Sequence, residues 1–372
     1  MVCRKLAEAL SADGLDVEVL TTCVKDFYAD WGDNFYREGT YHENGVTVRR
    51  FGVRRRNKRL FDSINLKLMN RLPVSAAEEQ QFVEEIVRSD ALCAFIADNR
   101  RSYSFVFIPY MFGTTCWALP LCPERSLLIP CLHDEPYAYM RPYRAVFESA
   151  AGLVFLSRPE MELALRLYDL DPKRCHLVGG GVDTEVTGDA TSFRAKYKLP
   201  EPFLLYVGRR EPGKNTPLLL EYFSRFKRRY PGELKLVLAG SGMAGLSPDS
   251  AADIVDLGFL SEDDKCGAYA AASLVCQPSV HESFSLSIME AWVQGTPVLV
   301  HAGCGVTSDH CTTSNGGLCF RDYDEFEECV SLLLGDGNLA RQMGANGRRY
   351  VLNSFSWPRI TQRYVDILRG LS

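Results

Sequence analysis

Short apolar runs alternate along the whole chain with stretches in which apolar residues recur every three or four positions. The runs have the length of buried strands, and the longer spacing is typical of helices that bury one face. This alternation predicts an α/β fold of parallel sheets with helices on both faces. The predicted strands are Asp16–Thr21, Phe105–Pro109, Ser126–Cys131, Gly152–Leu156, Cys175–Val178, Phe203–Val207, Leu234–Ala239, Leu274–Gln277 and Pro297–Val300. The predicted helices are 3–11, Ala77–Ala97, Pro159–Leu167, Pro217–Tyr230, Asp263–Ala271, Asp324–Leu334 and Trp357–Leu371.

The length of 372 residues exceeds that of one ordinary core, so two domains are expected. The glycines of 179–181 suit a hinge between them, although a plain tight turn is the alternative. We therefore predict domains at 1–180 and 181–356, with 357–372 as a closing helix that can pack back onto the first domain.

Composition narrows the function classes. Hydrophobic residues make up 46% and charged residues 24%, as in ordinary globular proteins, and the net charge of −5 implies no general affinity for nucleic acid. No apolar run reaches the ~18 residues of a membrane span, and the first residues lack the apolar core of a signal peptide. None of the 13 cysteines forms a CxxC pair, so we expect no metal site, and without a secretory signal we expect reduced thiols in a cytoplasmic protein.

The segment 281–300 carries the most specific chemistry. Glu282 and Glu290 lie eight positions apart, on either side of a Ser/Phe turn that opens a helix ending at Gly295. The free N–H groups at such a helix start suit a phosphate, and carboxylates accept hydrogen bonds from sugar hydroxyls. The pattern indicates a nucleotide-sugar site, and the alternative is an ordinary capped helix with one exposed Glu.

A second cluster follows the predicted strand Phe203–Val207 and the glycine after it, Gly208. Arg209, Arg210 and Lys214 come directly after it, where cations are placed to meet a diphosphate. An Arg fork and a Lys point charge together can neutralise a leaving phosphate. A solvated basic turn is the alternative.

Two other motifs admit competing interpretations. His133 comes just past a predicted strand, where it can contact substrate or serve as a structural histidine. The loop Gly240–Gly245 reads GxGxxG, but the acids about 20 residues on, Glu262 and Asp263, open a helix instead of ending a strand. The dinucleotide interpretation is therefore disfavoured against a glycine-rich loop near a nucleotide.

A basic run fills the segment Arg49–Arg59. A solvated loop is the default interpretation, and contact with anionic lipid or an anionic acceptor is the more specific alternative. RNA binding is a less supported interpretation, because Phe51 is the one aromatic residue in the run. The cations are Arg49, Arg50, Arg54, Arg55, Arg56, Lys58 and Arg59.

Nearly the whole chain resembles family 4 of the retaining glycosyltransferases. The motifs that carry the resemblance occur in order: GLVFLSRPE, VGGGVD, LLYVGRREPGKN, VDLGFLSEDD and HESFSLSIMEAWVQGTPVLV. The resemblance implies GT-B architecture, in which two Rossmann-like parallel-sheet domains face a cleft. It also implies a metal-independent enzyme that moves a sugar from a nucleoside-diphosphate sugar to an acceptor, here a glycan, lipid or small molecule.

The resemblance also implies roles for individual residues. Arg209 and Lys214 would hold the donor diphosphate, Glu290 the ribose hydroxyls and Glu282 the hydroxyls of the donor sugar. His133 matches the active-site histidine beside the transferred sugar. Backbone around Leu257 and Phe259 would hold the base, and backbone of Phe284, Ser285 and Leu286 would face the sugar and phosphates.

The chain departs from the family pattern in four places. The first strand and its glycine-rich loop are absent, so we expect an N-terminal domain without its first strand. Ser283 and Ser285 stand where glycines are common, and Asn215 replaces another glycine. The later Gly-x-Pro-Glu turn is also replaced, so sugar contacts near Gly305–Thr307 are expected to differ.

These departures leave two rival hypotheses. One is a catalytically impaired nucleotide-binding relic, or a fragment of such an enzyme. The other is an oxidoreductase that uses Gly240–Gly245. The main hypothesis predicts a cytoplasmic enzyme, with contact to the inner face of a membrane through the basic run as an option.

Overall fold

The computed structural model describes residues 2–199, 202–210, 212–242 and 251–371. The strands are β1 Glu18–Thr22, β2 Gly39–Glu43, β3 Val46–Phe51, β4 Phe105–Phe107, β5 Ser126–Leu128, β6 Gly152–Phe155, β7 Cys175–Leu177, β8 Phe203–Val207, β9 Lys235–Ala239, β10 Ile254–Asp256, β11 Leu274–Gln277, β12 Val298–His301 and β13 Gly317–Phe320. The helices are α1 Val2–Ala12, α2 Lys58–Met69, α3 Ala76–Glu84, α4 Asp90–Asn99, α5 Gly113–Cys116, α6 Arg141–Ser149, α7 Arg158–Leu167, α8 Ala190–Tyr197, α9 Thr216–Arg229, α10 Glu262–Ala271, α11 Leu286–Val293, α12 Gly305–Ser314, α13 Tyr323–Gly335, α14 Gly337–Ser354 and α15 Trp357–Gly370.

The chain forms two units, each with its own core. The first comprises Met1–Gly179 with Pro358–Ser372, and the second comprises Gly180–Trp357. In the first unit, β4-β5-β6-β7 form a parallel sheet, and a three-stranded sheet has the order β1-β3-β2. In that smaller sheet β1 pairs with β3 in parallel and β2 pairs with β3 in antiparallel orientation.

The second unit is a six-stranded parallel sheet in the order β10-β9-β8-β11-β12-β13. Its central strands are continuous apolar runs because helices cover both faces, and Leu204, Leu236 and Leu299 are fully buried. The α14 helix approaches the turn after α11 so closely that a Cβ on Gly344 would lie 1.8 Å from the Gly295 carbonyl oxygen. The predicted α/β fold of parallel sheets is confirmed.

Two predictions about secondary structure were wrong. The predicted helix Ala77–Ala97 is two helices, α3 and α4, separated by a loop. Ser89 caps the second by accepting a hydrogen bond from the Leu92 N–H, and the apolar residues that bridged the pattern, Ile86 and Val87, are buried in the loop. The default loop interpretation of the basic run also fails at its start, because Arg49 and Arg50 belong to β3.

Candidate functional site

Two predicted phosphate-binding cations lie at the carboxyl end of β8. The strand ends at Val207, and the Tyr206 hydroxyl then donates a 2.6 Å hydrogen bond to the Arg209 carbonyl oxygen, which fixes the turn. Arg209 is exposed there. A 3₁₀ turn at Pro212–Lys214 leads into α9. The fold therefore places both cations at the sheet edge where ligands of parallel sheets bind.

Lys214 and Glu282 form an ion pair, although they lie 68 positions apart in the chain. The Lys214 Nζ is 2.7 Å from Glu282 Oε1, and the two side chains are 23% and 11% exposed. The pair therefore brings together the residue predicted to bind the diphosphate, Lys214, and the residue predicted to bind the donor sugar, Glu282. Because the ammonium balances the carboxylate, Glu282 can sit close to an anionic ligand without net repulsion.

The helix α11 begins four residues after Glu282. Its N-cap residue Ser285 has the left-handed φ of 65°, and in the described part of the chain its side chain makes no capping hydrogen bond. The first N–H groups of α11 are thus left for another acceptor. Asn215, before α9, has a similar φ of 54°. These two departures from the family pattern both occupy backbone conformations that favour glycine.

The other predicted residues of this turn differ in exposure. The Phe284 ring is buried against the aromatic rings of His310 and Phe355, with centroids 5.5 and 5.0 Å away. Its side chain therefore belongs to the core, which is compatible with the predicted backbone role alone. Leu286 is partly exposed. The Gln277 side chain donates to Ser287 Oγ at 2.7 Å, which ties the end of β11 to the start of α11.

Glu290 lies one turn further along α11 and is held by α10. Its Oε1 accepts from Lys265 Nζ at 2.9 Å, and its Oε2 accepts from the Tyr269 hydroxyl at 3.0 Å. Burial alone would lower the pKa of Lys265, but the charges of Glu290 and Glu262 outweigh it and raise that pKa. Each carboxylate oxygen offers about two acceptor positions, so Glu290 keeps capacity for hydroxyls.

The segment predicted to hold the base follows β10. The Leu257 N–H donates to the Leu238 carbonyl of β9 at 2.9 Å, so this backbone donor is already engaged. The Gly258 carbonyl accepts from the Gly240 N–H at 2.7 Å. Phe259 then projects outward with 86% of its surface exposed. Of the two predicted residues, Phe259 is the one that faces solvent.

Arg210 has a role that the sequence did not indicate. Its side chain is buried, donates to Asp256 at the end of β10, and also donates to the Gly240 carbonyl at 2.5 Å. It therefore braces three strand ends and does not meet a ligand as a second phosphate cation. A Cβ on Gly240 would lie 2.0 Å from the Gly208 carbonyl oxygen, so close backbone packing accounts for this glycine. Residues 243–245 of the GxGxxG motif lie outside the described residues.

His133 belongs to the first unit, in the loop after β5. Its Nδ1 is 3.7 Å from Glu135 Oε1. Glu160, which the sequence analysis did not single out, anchors this loop: its Oε1 accepts from the Leu132 N–H and its Oε2 from the Leu156 N–H, both at 2.7 Å. The capping pattern from Ser157 to Glu160 was a visible signal, but it pointed to the α7 start alone.

Burial dominates the electrostatics of Glu160. It raises the pKa of this carboxyl from 4.5 to about 7, although backbone N–H groups and the charge of His133 act in the opposite direction. Because folding raises this pKa, the folded state binds the proton more tightly than the unfolded chain. The stabilisation from this group is therefore complete below about pH 4.5 and is lost as the pH rises through about 7.

Glu160→Gln should remove this dependence. We expect the free energy of unfolding of the wild type to fall by about 2–3 kcal/mol more than that of the variant between about pH 5 and about pH 8. Urea denaturation of both proteins at the two pH values measures the difference. Parallel pH dependence in the two proteins would contradict the assignment.

The basic run is largely paired within the first unit. Arg49 binds Glu18 through two 2.8 Å hydrogen bonds, and Arg50 lies 3.1 Å from Glu43. The Arg56 side chain, only 4% exposed, contacts Asp30 at 2.8 Å. These pairs reduce the charge that the run offers to an anionic surface.

Within the described residues, no helix is both long and apolar enough to span a bilayer. Among the same residues, His, Cys, Asp and Glu side chains form no cluster of three or more that would hold a metal ion. Independence of the reaction from metal stays a prediction.

The second unit is thus a parallel α/β domain with cations, an open helix N-terminus and two carboxylates at one sheet edge. Two family models match the chain: "Glycosyl transferase 4-like domain" over residues 1–181 and "Glycosyl transferases group 1" over residues 189–350. The chain belongs to the group 1 glycosyltransferases.

Curated relatives agree with this membership. The chain is 30% identical over 260 residues to the D-inositol 3-phosphate glycosyltransferase of Salinispora arenicola, an overlap of 63% of this chain and 58% of that protein. It is 34% identical over 253 residues to the protein of the same name from Mycobacteroides abscessus, covering 58% and 56% of the two chains. The chain therefore spans little more than half the length of these relatives.

Solved structures share the fold. Sucrose-phosphate synthase from Thermosynechococcus elongatus superposes with a TM-score of 0.70 at 20% identity, over 99% of this chain and 92% of that one. WaaG, a glycosyltransferase involved in lipopolysaccharide biosynthesis, gives 0.69 at 15% identity, with 99% and 95% covered. HepE from Anabaena, in complex with UDP and glucose, gives 0.65 at 15% identity, with 88% and 87% covered. The predicted GT-B fold class is confirmed.

Proposed function

We propose that the protein is a retaining glycosyltransferase that moves a sugar from a nucleoside-diphosphate sugar to a hydroxyl of an acceptor. The observation that carries the proposal is the Lys214–Glu282 pair, 2.7 Å apart and four residues ahead of the open start of α11. It combines a cation for phosphate, an acceptor for sugar hydroxyls and a helix N-terminus in one place.

Each group has a part in the proposed reaction. Arg209, Lys214 and the α11 dipole stabilise the charge that develops on the leaving diphosphate, without a metal ion. Glu290 accepts hydrogen bonds from the ribose hydroxyls, and Glu282 accepts them from the donor sugar. In a front-face substitution, the bond from the anomeric carbon to the phosphate oxygen breaks while the acceptor oxygen bonds on the same face. The acceptor proton then passes to the departing phosphate.

His133 is assigned to the transferred sugar. Its loop is fixed by Glu160 through the Leu132 N–H, which holds the histidine backbone in place before substrate binds. The imidazole can then donate a hydrogen bond to a sugar hydroxyl. This role rests on the family resemblance and on the hydrogen bond from the Leu132 N–H to Glu160, which fixes the loop.

The relatives suggest substrates. UDP is the first donor nucleotide to test, because a structure of the same fold was solved with UDP and glucose. A cyclitol phosphate is the first acceptor to test, because several relatives are named for inositol phosphate. Contact with a membrane stays a sequence prediction, since Arg49, Arg50 and Arg56 are ion-paired.

Ligand-induced stabilisation followed by turnover tests the proposal. The purified chain is heated with UDP, GDP, ADP or NAD, each with and without EDTA, and then assayed for nucleotide release from the matching sugar donor. We expect one nucleoside diphosphate to raise Tm in the presence of EDTA, and its sugar donor to be consumed when an acceptor is added. Stabilisation without turnover would favour the nucleotide-binding relic, and stabilisation by NAD alone would favour an oxidoreductase.

A further inference from the structure

The loop between β1 and β2 presents aromatic rings to solvent. Phe27 and Tyr28 are 56% and 73% exposed, and their ring centroids lie 5.3 Å apart. Phe27 also contacts Trp31 at 5.7 Å and Phe112 at 6.1 Å, and Trp31 contacts Phe112 at 5.5 Å. We call these four rings the aromatic platform. Adjacent exposed rings of this kind mark a contact surface in a globular protein.

The platform residues Phe27, Tyr28 and Trp31 are held in place by polar groups of their own loop and by Arg56. Asp26 Oδ1 accepts from the N–H groups of Tyr28 and Ala29 at 2.9 and 3.0 Å, and the Trp31 indole donates to the Phe27 carbonyl at 3.0 Å. The Arg56 guanidinium, paired with Asp30, lies 5.1 Å from the Trp31 ring centroid. The rings are therefore pre-organised, so a ligand would bind them without ordering the loop.

The platform and the His133 loop lie at the same edge of the first unit. Phe112 follows β4, and His133 follows the neighbouring parallel strand β5, so both come after strand carboxyl ends. The Tyr110 N–H donates to the Pro130 carbonyl at 3.2 Å, which joins the two loops. Ligands of parallel sheets bind at this edge.

We propose that the aromatic platform binds the acceptor and that the acceptor is a ring-shaped polyol, a saccharide or a cyclitol. This proposal rests on the proposed function. The C–H face of such a ring is flat and apolar and stacks on aromatic side chains, while its hydroxyls stay at the rim in reach of water and polar groups. The platform supplies that apolar face, and the family chemistry requires a hydroxyl acceptor.

The position of the platform, and not its charge, favours a sugar over a lipid surface. The loop carries more acidic than basic residues, but it packs against Arg55 and Arg56 of the basic run, and Arg56 pairs with Asp30. The platform is instead joined, through the hydrogen bond between the Tyr110 N–H and the Pro130 carbonyl, to the loop of His133, where the transferred sugar is proposed to bind.

Direct binding tests the platform without relying on turnover. Myo-inositol and methyl α-D-glucopyranoside are titrated by saturation-transfer NMR, with glycerol as the acyclic control and phosphatidylglycerol vesicles as the lipid control. We expect the ring probes to bind and Tyr28→Ala to weaken them about tenfold, the loss of one aromatic contact. Phe35→Ala is the matched control, because Phe35 is 62% exposed on the same loop and contacts Tyr36 outside the platform.

The outcomes separate this proposal from the proposed function. The platform proposal is overturned if the ring probes bind equally to the wild type and Tyr28→Ala, or if they do not bind at all. This holds even if nucleotide binding and sugar transfer are found. Vesicle binding that depends on Tyr28 would overturn it in favour of a lipid surface. Because Tyr28 is largely exposed, its variant should melt like the wild type, and nucleotide-induced stabilisation should not change.

Discussion

Lys214→Met is expected to lower kcat/KM for sugar transfer by about two to three orders of magnitude. Two effects combine. The variant lacks the ammonium that meets the leaving diphosphate, and it leaves Glu282, whose side chain is 11% exposed, without the cation 2.7 Å away. An uncompensated carboxylate beside a diphosphate repels it. Initial rates measured over a range of donor concentrations, together with the affinity for the free nucleotide, give the size of the loss.

A second variant separates the two effects. In the Lys214→Met background, Glu282→Gln removes the orphaned charge, so recovery of nucleotide affinity would assign the loss to repulsion. No recovery would assign it to the missing cation. Arg228→Met is the control, because it makes the same charge change at an exposed position near the opposite end of α9. Unchanged nucleotide affinity and unchanged kcat/KM in Lys214→Met would refute the site.

The fold was predictable where strands are central. Phe203–Val207 and Leu274–Cys276 are apolar runs because both faces of the second sheet are covered, and the structure has strands at those residues. The strands β10 and β13 were missed, and both lie at the edges of the second sheet. At the edge of a sheet, tertiary pairing decides strand formation more than the local pattern does.

The place of the candidate site could be read from the sequence, but the pairings of its residues could not. The spacing of Glu282 and Glu290 around a helix start can be read from the chain, because it depends on one turn and one helix. Their contacts with Lys214 and Lys265 join distant segments. For the same reason, the sequence did not predict the contact between Glu160 and Leu132, which lie 28 positions apart.

Charge counting failed for a related reason. The sequence showed Arg209 and Arg210 as equivalent cations, yet one is exposed at the sheet edge and the other is buried against Asp256. Likewise, Arg49 has its partner Glu18 on a neighbouring strand. A list of cations therefore predicts a basic patch only after the acids on adjacent elements are known.

Glu290→Gln is expected to weaken nucleoside-diphosphate binding by about a hundredfold, the loss of two charge-assisted hydrogen bonds to the ribose. The amide is nearly isosteric and keeps an oxygen that can accept from the Tyr269 hydroxyl, now 3.0 Å from the carboxylate. The packing between α10 and α11 should therefore persist. Isothermal titration with the stabilising nucleotide measures the change in Kd.

The matched ligand is the 2′-deoxy form of the same nucleotide, which lacks one of the proposed hydroxyl donors. If Glu290 binds the ribose, the substitution must cost the deoxynucleotide less affinity than the parent nucleotide, because part of the interaction is already missing. Equal losses for both ligands would show that Glu290 acts through Lys265 and the local charge instead. Lys265→Met, which removes the ammonium 2.9 Å from Glu290, gives the size of that indirect effect.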